Sequence, residues 1–194
     1  LMKDFPLDAT VVCATSAVRD AANRGEFIDF IRNAVDFSVE VLSGADEAFW
    51  TYRGAISGLR GVRRAVVVDI GGGSTEVTVG NETTVTGRVS VDIGAVRLTE
   101  RVLRNDPPTQ AQLLECVRVI DDGLKPLATL DVSGSTLIGV AGTATSLALL
   151  HQGRGGRRDD QRVGNLAGDR QAVVVGEVVS IGGVVPGPRV AVDA

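Results

Sequence analysis

Asp69 and Glu76 bracket a run of three glycines followed by Ser74 and Thr75, and these are the residues best suited to handle a phosphate. The stretch reads RAVVVDIGGGSTEVTVG from Arg64 to Gly80. A backbone without Cβ atoms accepts positive φ and lets a ligand come close to peptide N–H groups, which suit phosphate oxygens. Two carboxylates beside such a pocket offer the hard oxygen donors that Mg²⁺ or Ca²⁺ takes. The competing reading is a glycine-rich hairpin with solvated acids.

Three further groups have the type and spacing for the same chemistry. Thr15 and Ser16 sit where a helix would begin, and Arg19 follows one turn later, able to fork onto a phosphate. An N-cap hydroxyl with a surface Arg19–Asp20 pair fits the same residues. Glu47 lies in the first turn after Ser43-Gly44, where Ser43 and Asp46 have capping-box spacing. Glu47 is then either an ordinary first-turn acid favoured by the helix dipole or a carboxylate able to orient a water toward phosphorus. Gly142 and Thr143 form a second glycine turn, at a helix start, again an anion loop in form.

These groups need elements to hold them. Ala65–Val68 and Val77–Val79 are β-rich runs joined by the glycine turn, which predicts a hairpin. Short strands are expected over 9–14, 38–42, 83–91 and 136–140. Phe27, Phe30, Ile31 and Ala34 recur with helical period, as do Leu113, Leu114, Val117 and Ile120 in a helix expected over 109–127. Phe49, Trp50 and Ile56 read as packing surface on the helix that carries Glu47. A helix starting near Asp92 must stop before Asp106-Pro107-Pro108.

At 194 residues with 44% hydrophobic content the chain is long enough to bury a core. A net charge of −4 with no basic face argues against nucleic-acid binding. Cys13 and Cys116 fit no metal spacing, so reduced buried thiols are expected. No apolar run reaches the length of a membrane span and no signal peptide is visible, which gives a cytoplasmic expectation.

Taken in order, ATSAVRDA, VLSGADEA, VVVDIGGGSTEV, VDIGAVRLTER and GVAGTATSLA resemble the exopolyphosphatase/guanosine pentaphosphate phosphatase (Ppx/GppA) family over residues 9–150. The resemblance implies an α/β fold of the actin-like, sugar-kinase-like ATPase (ribonuclease H-like) type, present in part. It implies Mg²⁺-dependent hydrolysis of the terminal phosphoanhydride of polyphosphate, or of the 5′-γ-phosphate of pppGpp. By the same resemblance Glu47 is the catalytic base, and Asp69 and Glu76 are the acids that handle the metal. Gly71, Gly72, Gly73, Ser74 and Thr75 form the phosphate loop, Gly142 and Thr143 assist it, and Arg19 grips the polyanion. Asp46 stands where the family usually has Glu. Family members often form homodimers, through regions beyond these motifs.

Two departures accompany the resemblance. The family's first phosphate loop, D-x-G-[ST]-N-S, has no counterpart, so the N-terminal lobe is expected to be incomplete. From Gln152 to Arg170 the chain turns Arg- and Gly-rich, as expected of a divergent or disordered tail or of a shifted reading frame. The expected division is 1–86 for the rest of the first lobe, 87–150 for the start of the second, and 151–194 for the tail. The alternatives to a hydrolase are an ATP-binding protein of the sugar-kinase type and an inactive fragment.

Overall fold

The computed structural model describes residues 10–35, 37–57, 59, 61–151 and 172–174. They divide into two compact units, Leu1–Ser43 and Gly44–Ala194.

In the first unit β1 (Val12–Ala14) and β2 (Val39–Val41) pair in parallel, with Cys13 opposite Glu40. The short α1 (Ser16–Arg19) follows β1, and α2 (Arg24–Val35) links the strands. The helical period predicted for Phe27 to Ala34 is realised in α2, yet the helix buries none of its residues, and Phe30 is 66% exposed.

The second unit is a mixed sheet in the order β5-β4-β3-β6-β7. Its strands are β3 (Ala65–Ile70), β4 (Thr75–Gly80), β5 (Val85–Val91), β6 (Thr136–Val140) and β7 (Ala172–Val174). β3, β4 and β5 form an antiparallel meander, while β6 runs parallel to β3 and β7 parallel to β6. The Val-rich β3 is central, with Ala65, Val66 and Val67 all buried, as a strand covered on both faces requires. On one face Tyr52 and Ala55 of α3 (Gly44–Ser57) pack with Ala65, Val67, Ile138 and Val140. On the other, Val66, Val77 and Val79 meet Leu127 and Leu130.

α4 (Ala95–Arg101) follows β5, and α5 (Gln110–Leu124) opens on a complete capping box between Thr109 and Gln112. The helix expected to run to Leu127 tightens at Lys125 into a 3₁₀ turn, Lys125–Thr129, which carries Pro126. Proline has no N–H for the α-helical ladder, so the chain closes there on i+3 bonds. α6 (Ala141–His151) continues from β6.

The lobe change expected after residue 86 falls inside β5, a strand hydrogen-bonded to β4 in the same sheet. The division into two compact units falls between Ser43 and Gly44. The spacing of strands along the chain does not disclose which strands pair. Cys13 and Cys116 are unpaired as expected, but Cys13 is exposed and Cys116 only half-buried. The expectation for the tail lies outside the described residues, except for His151 at the end of α6 and the three residues of β7.

Candidate active site

The predicted hairpin is β3 and β4, and its register sets Asp69 directly opposite Glu76 and Ile70 opposite Thr75. Alternation along the strands then puts Asp69, Glu76 and Thr78 on the sheet face that Ala65 and Val67 turn toward α3. Glu76 is 2% exposed, and its neighbour on β5 is Ser90, whose hydroxyl donates to Glu76 Oε1 at 2.8 Å. Ser74 also gives Glu76 a hydrogen bond. The Thr51 hydroxyl donates to Asp69 Oδ2 at 3.4 Å.

Thr51 lies one helical turn beyond Glu47, so the face of α3 that meets Asp69 also carries Glu47. The Thr78 hydroxyl fixes that helix to the sheet by donating to the Ala48 carbonyl at 3.1 Å. Asp46 and Glu47 both occupy the first turn of α3, where the helix dipole favours negative charge.

The charge of Glu47 acts on both Asp69 and Glu76. Burial pushes the Asp69 carboxyl above its ordinary range, the Glu47 charge adds to the shift, and the Thr51 hydrogen bond opposes it. Burial likewise raises Glu76, to about 7, against the Ser90 and Ser74 hydrogen bonds and with the Glu47 and Asp69 charges adding. Among the described residues no group of three acidic, His or Cys side chains forms a cage for a metal ion. Asp69 and Glu76, level with each other across the hairpin, offer two carboxylates; Mg²⁺ in general is held by one or two carboxylates together with water and substrate oxygens.

The glycine turn works differently from the sequence expectation. Positive φ occurs at Gly61 and Gly134 among the described glycines, and not at Gly71 or Gly72. What the glycines provide is close approach. The turn's backbone is bound to the residues around the start of α4, and Thr75 Oγ1 donates to the Ile93 carbonyl at 2.7 Å. Among the described residues nothing accepts from the backbone N–H of Gly72, Gly73 or Ser74.

Gly142 and Thr143 enter the same end of the sheet, because β6 pairs in parallel with β3 and Val140 is level with Asp69. Ala141, the hinge from β6 into α6, holds φ at 65°, a left-handed conformation that costs a non-glycine residue about 1–3 kcal/mol. Such strain is characteristic of ligand-binding turns. A Cβ at Gly142 would meet nothing within 4 Å.

Arg19 belongs to the other compact unit, where its Nη1 donates to the Leu42 carbonyl at 2.8 Å. The helix start expected at Thr15 and Ser16 is there, but α1 is only four residues long and Thr15 makes no side-chain cap. Phe49 and Trp50 form an edge-to-face pair, and Trp50 is 42% exposed rather than packed away as expected. Sequence reasoning missed Thr51 and Ser90. The interval of four from Glu47 was the available signal for Thr51; Ser90 required the strand register.

A model of the Ppx/GppA phosphatase family matches residues 1–166. Exopolyphosphatase 2 of Mycobacterium tuberculosis is 44% identical over 147 residues, which cover 72% of this chain and 46% of that protein. The guanosine-5′-triphosphate,3′-diphosphate pyrophosphatase of Vibrio cholerae is 28% identical over 148 residues, covering 75% of this chain and 30% of that one. Among solved structures, an exopolyphosphatase-like protein superposes with a TM-score of 0.73 at 40% identity, over 78% of this chain and 49% of its own. The chain thus spans about half, or less, of the length of these relatives. Its α/β sheet is shared with solved Ppx/GppA proteins of Aquifex aeolicus, at TM-scores of 0.62 and 0.63. The family model over residues 1–166 and the similarity to Ppx/GppA relatives and structures agree: this chain belongs to the Ppx/GppA phosphatase family.

Proposed function

We propose that this chain carries a phosphoanhydride hydrolase site that removes the terminal phosphate from inorganic polyphosphate, and from pppGpp as the second substrate. The observation that carries the reading is the convergence of Glu47, Asp69 and Glu76 near a glycine turn with three N–H groups that nothing among the described residues accepts from. Polyphosphate is placed first because the relative named for it is 44% identical, against 28% for the pyrophosphatase relative.

The N–H groups of Gly72, Gly73 and Ser74 bind oxygens of the terminal phosphate, with Thr75, Gly142 and Thr143 at the same sheet end. Gly71 closes the turn through its N–H to the Ser74 carbonyl. Asp69 and Glu76 would hold Mg²⁺, which supplies neutralising charge to the phosphate oxygens when bound. Glu47 accepts a proton from water as the water oxygen bonds to phosphorus. The bridging P–O bond breaks, and a chain one phosphate shorter leaves with the electron pair. Phosphoryl transfer asks little covalent help of a protein, so placement and charge do most of the work. No described helix is long and apolar enough to cross a membrane, and a polyanion free in the cytoplasm is the substrate we expect.

The test is Mg²⁺-dependent phosphate release from polyphosphate by wild type, Glu47→Ala and Glu47→Gln. General-base loss should lower kcat about 10²–10⁴-fold, with tripolyphosphate affinity nearly unchanged. Equal rates in all three proteins would remove Glu47 from its role.

A further inference from the structure

The glycine turn owes its shape to an element that contributes no group to the chemistry. The Gly71 carbonyl accepts from the N–H of Ala95 at 3.0 Å, and the Gly72 carbonyl from the N–H of Arg97 at 3.0 Å. The Gly73 carbonyl accepts from Nε of the Arg97 side chain at 2.5 Å. Three successive peptide oxygens are therefore held by the start of α4, two of them by one residue.

A trans peptide points its C=O and the following N–H in opposite directions. Fixing the oxygens of Gly71, Gly72 and Gly73 toward α4 turns the N–H groups of Gly72, Gly73 and Ser74 away from it. These are the three N–H groups that nothing among the described residues accepts from. The fit allows no slack. A Cβ at Gly94 would collide with the Gly72 carbonyl and the Gly73 nitrogen, and one at Gly72 would lie 3.1 Å from Val96 Cγ2. The Arg97 side chain is 13% exposed, with Asp92 at 3.6 Å from its Nη2.

We infer that Arg97 is a positioning residue for phosphate binding: its backbone N–H and its guanidinium hold two adjacent glycine peptides so that their N–H groups face the ligand. The inference rests on the phosphate-binding reading of the turn. Lysine keeps the charge but has no planar Nε donor fixed against the Gly73 carbonyl, so Arg97→Lys should restore little.

The experiment titrates tripolyphosphate with Mg²⁺ into the ¹⁵N-labelled chain and follows the N–H resonances of Gly72, Gly73 and Ser74. Wild type should show saturable shifts at all three. Arg97→Ala should bind about tenfold more weakly, the worth of one hydrogen bond from a charged donor, with smaller or broadened shifts and a raised KM. Millimolar guanidinium added to Arg97→Ala should recover part of the affinity. If Arg97→Ala does not fold by circular dichroism, Arg97→Lys decides the matter by the same readouts. Wild-type resonances that ignore tripolyphosphate would overturn the phosphate-binding reading itself. Wild-type shifts that persist at full size and affinity in a folded Arg97 variant would overturn only the role of Arg97.

Discussion

Glu76 is buried among polar partners with two other acids near it, and this ties folding to pH in an unusual direction. Its carboxyl titrates near 7 in the folded chain against an ordinary 4.5. The folded state therefore holds the proton over a range where the unfolded state has lost it, and stability falls as pH rises from about 4.5 through 7. Outside that window this group adds no slope. Asp69, raised in the same direction, begins its contribution lower, from 3.8. Without divalent ions, urea unfolding should give a stability smaller at pH 8 than at pH 5 by at most roughly 3 kcal/mol. Glu76→Gln should flatten the profile. A wild-type profile that is level or rises across the window would show that Glu76 is ionised at no cost.

α3 brings Glu47 to the sheet, and its seating depends on Thr78, which is 1% exposed and donates to the Ala48 carbonyl. Thr78→Val keeps the volume and removes that bond. It should cost about 1 kcal/mol in thermal or urea unfolding. Because Glu47 adjoins Ala48, phosphate release should slow more than tripolyphosphate binding weakens, and an unchanged kcat would separate the bond from the chemistry. Much of this element is readable in the sequence. The Ser43–Gly44 opening of the helix, the acids of its first turn and the paired acids of the glycine hairpin follow from residue type and spacing within one or two turns of chain. Thr51 to Asp69, Ser90 to Glu76 and Arg97 to Gly73 do not. Each joins elements whose meeting depends on strand register or on how a later helix packs. The glycines misled for the same reason: locally they read as positive-φ residues, whereas the space Gly72 leaves is taken by Val96 and the Gly72–Gly73 peptide packs where Gly94 lacks a Cβ, more than twenty residues on.

The two compact units differ in how much holds them. Leu1–Ser43 contains a parallel pair of three-residue strands, and its buried residues among those described are Ser16 and Leu42. Two-stranded sheets are marginal without a hydrophobic face or a packed helix, and α2 buries nothing. Gly44–Ala194 has a five-stranded sheet covered on both faces. Hydrogen exchange should therefore divide into two tiers, the amides of β3 and β6 protected by the full unfolding free energy and those of β1 and β2 exchanging at least about 100-fold faster through local opening. Equal protection in both would mean one cooperative structure. Adding tripolyphosphate with Mg²⁺ at about 100 times its dissociation constant should raise protection in the second unit by about 2.7 kcal/mol. The same experiment judges Arg19: if it grips the polyanion, protection rises around α1 as well, and Arg19→Ala cancels that part alone. A ligand effect confined to Gly44–Ala194, unchanged by Arg19→Ala, would leave phosphate binding to the glycine turn and its acids.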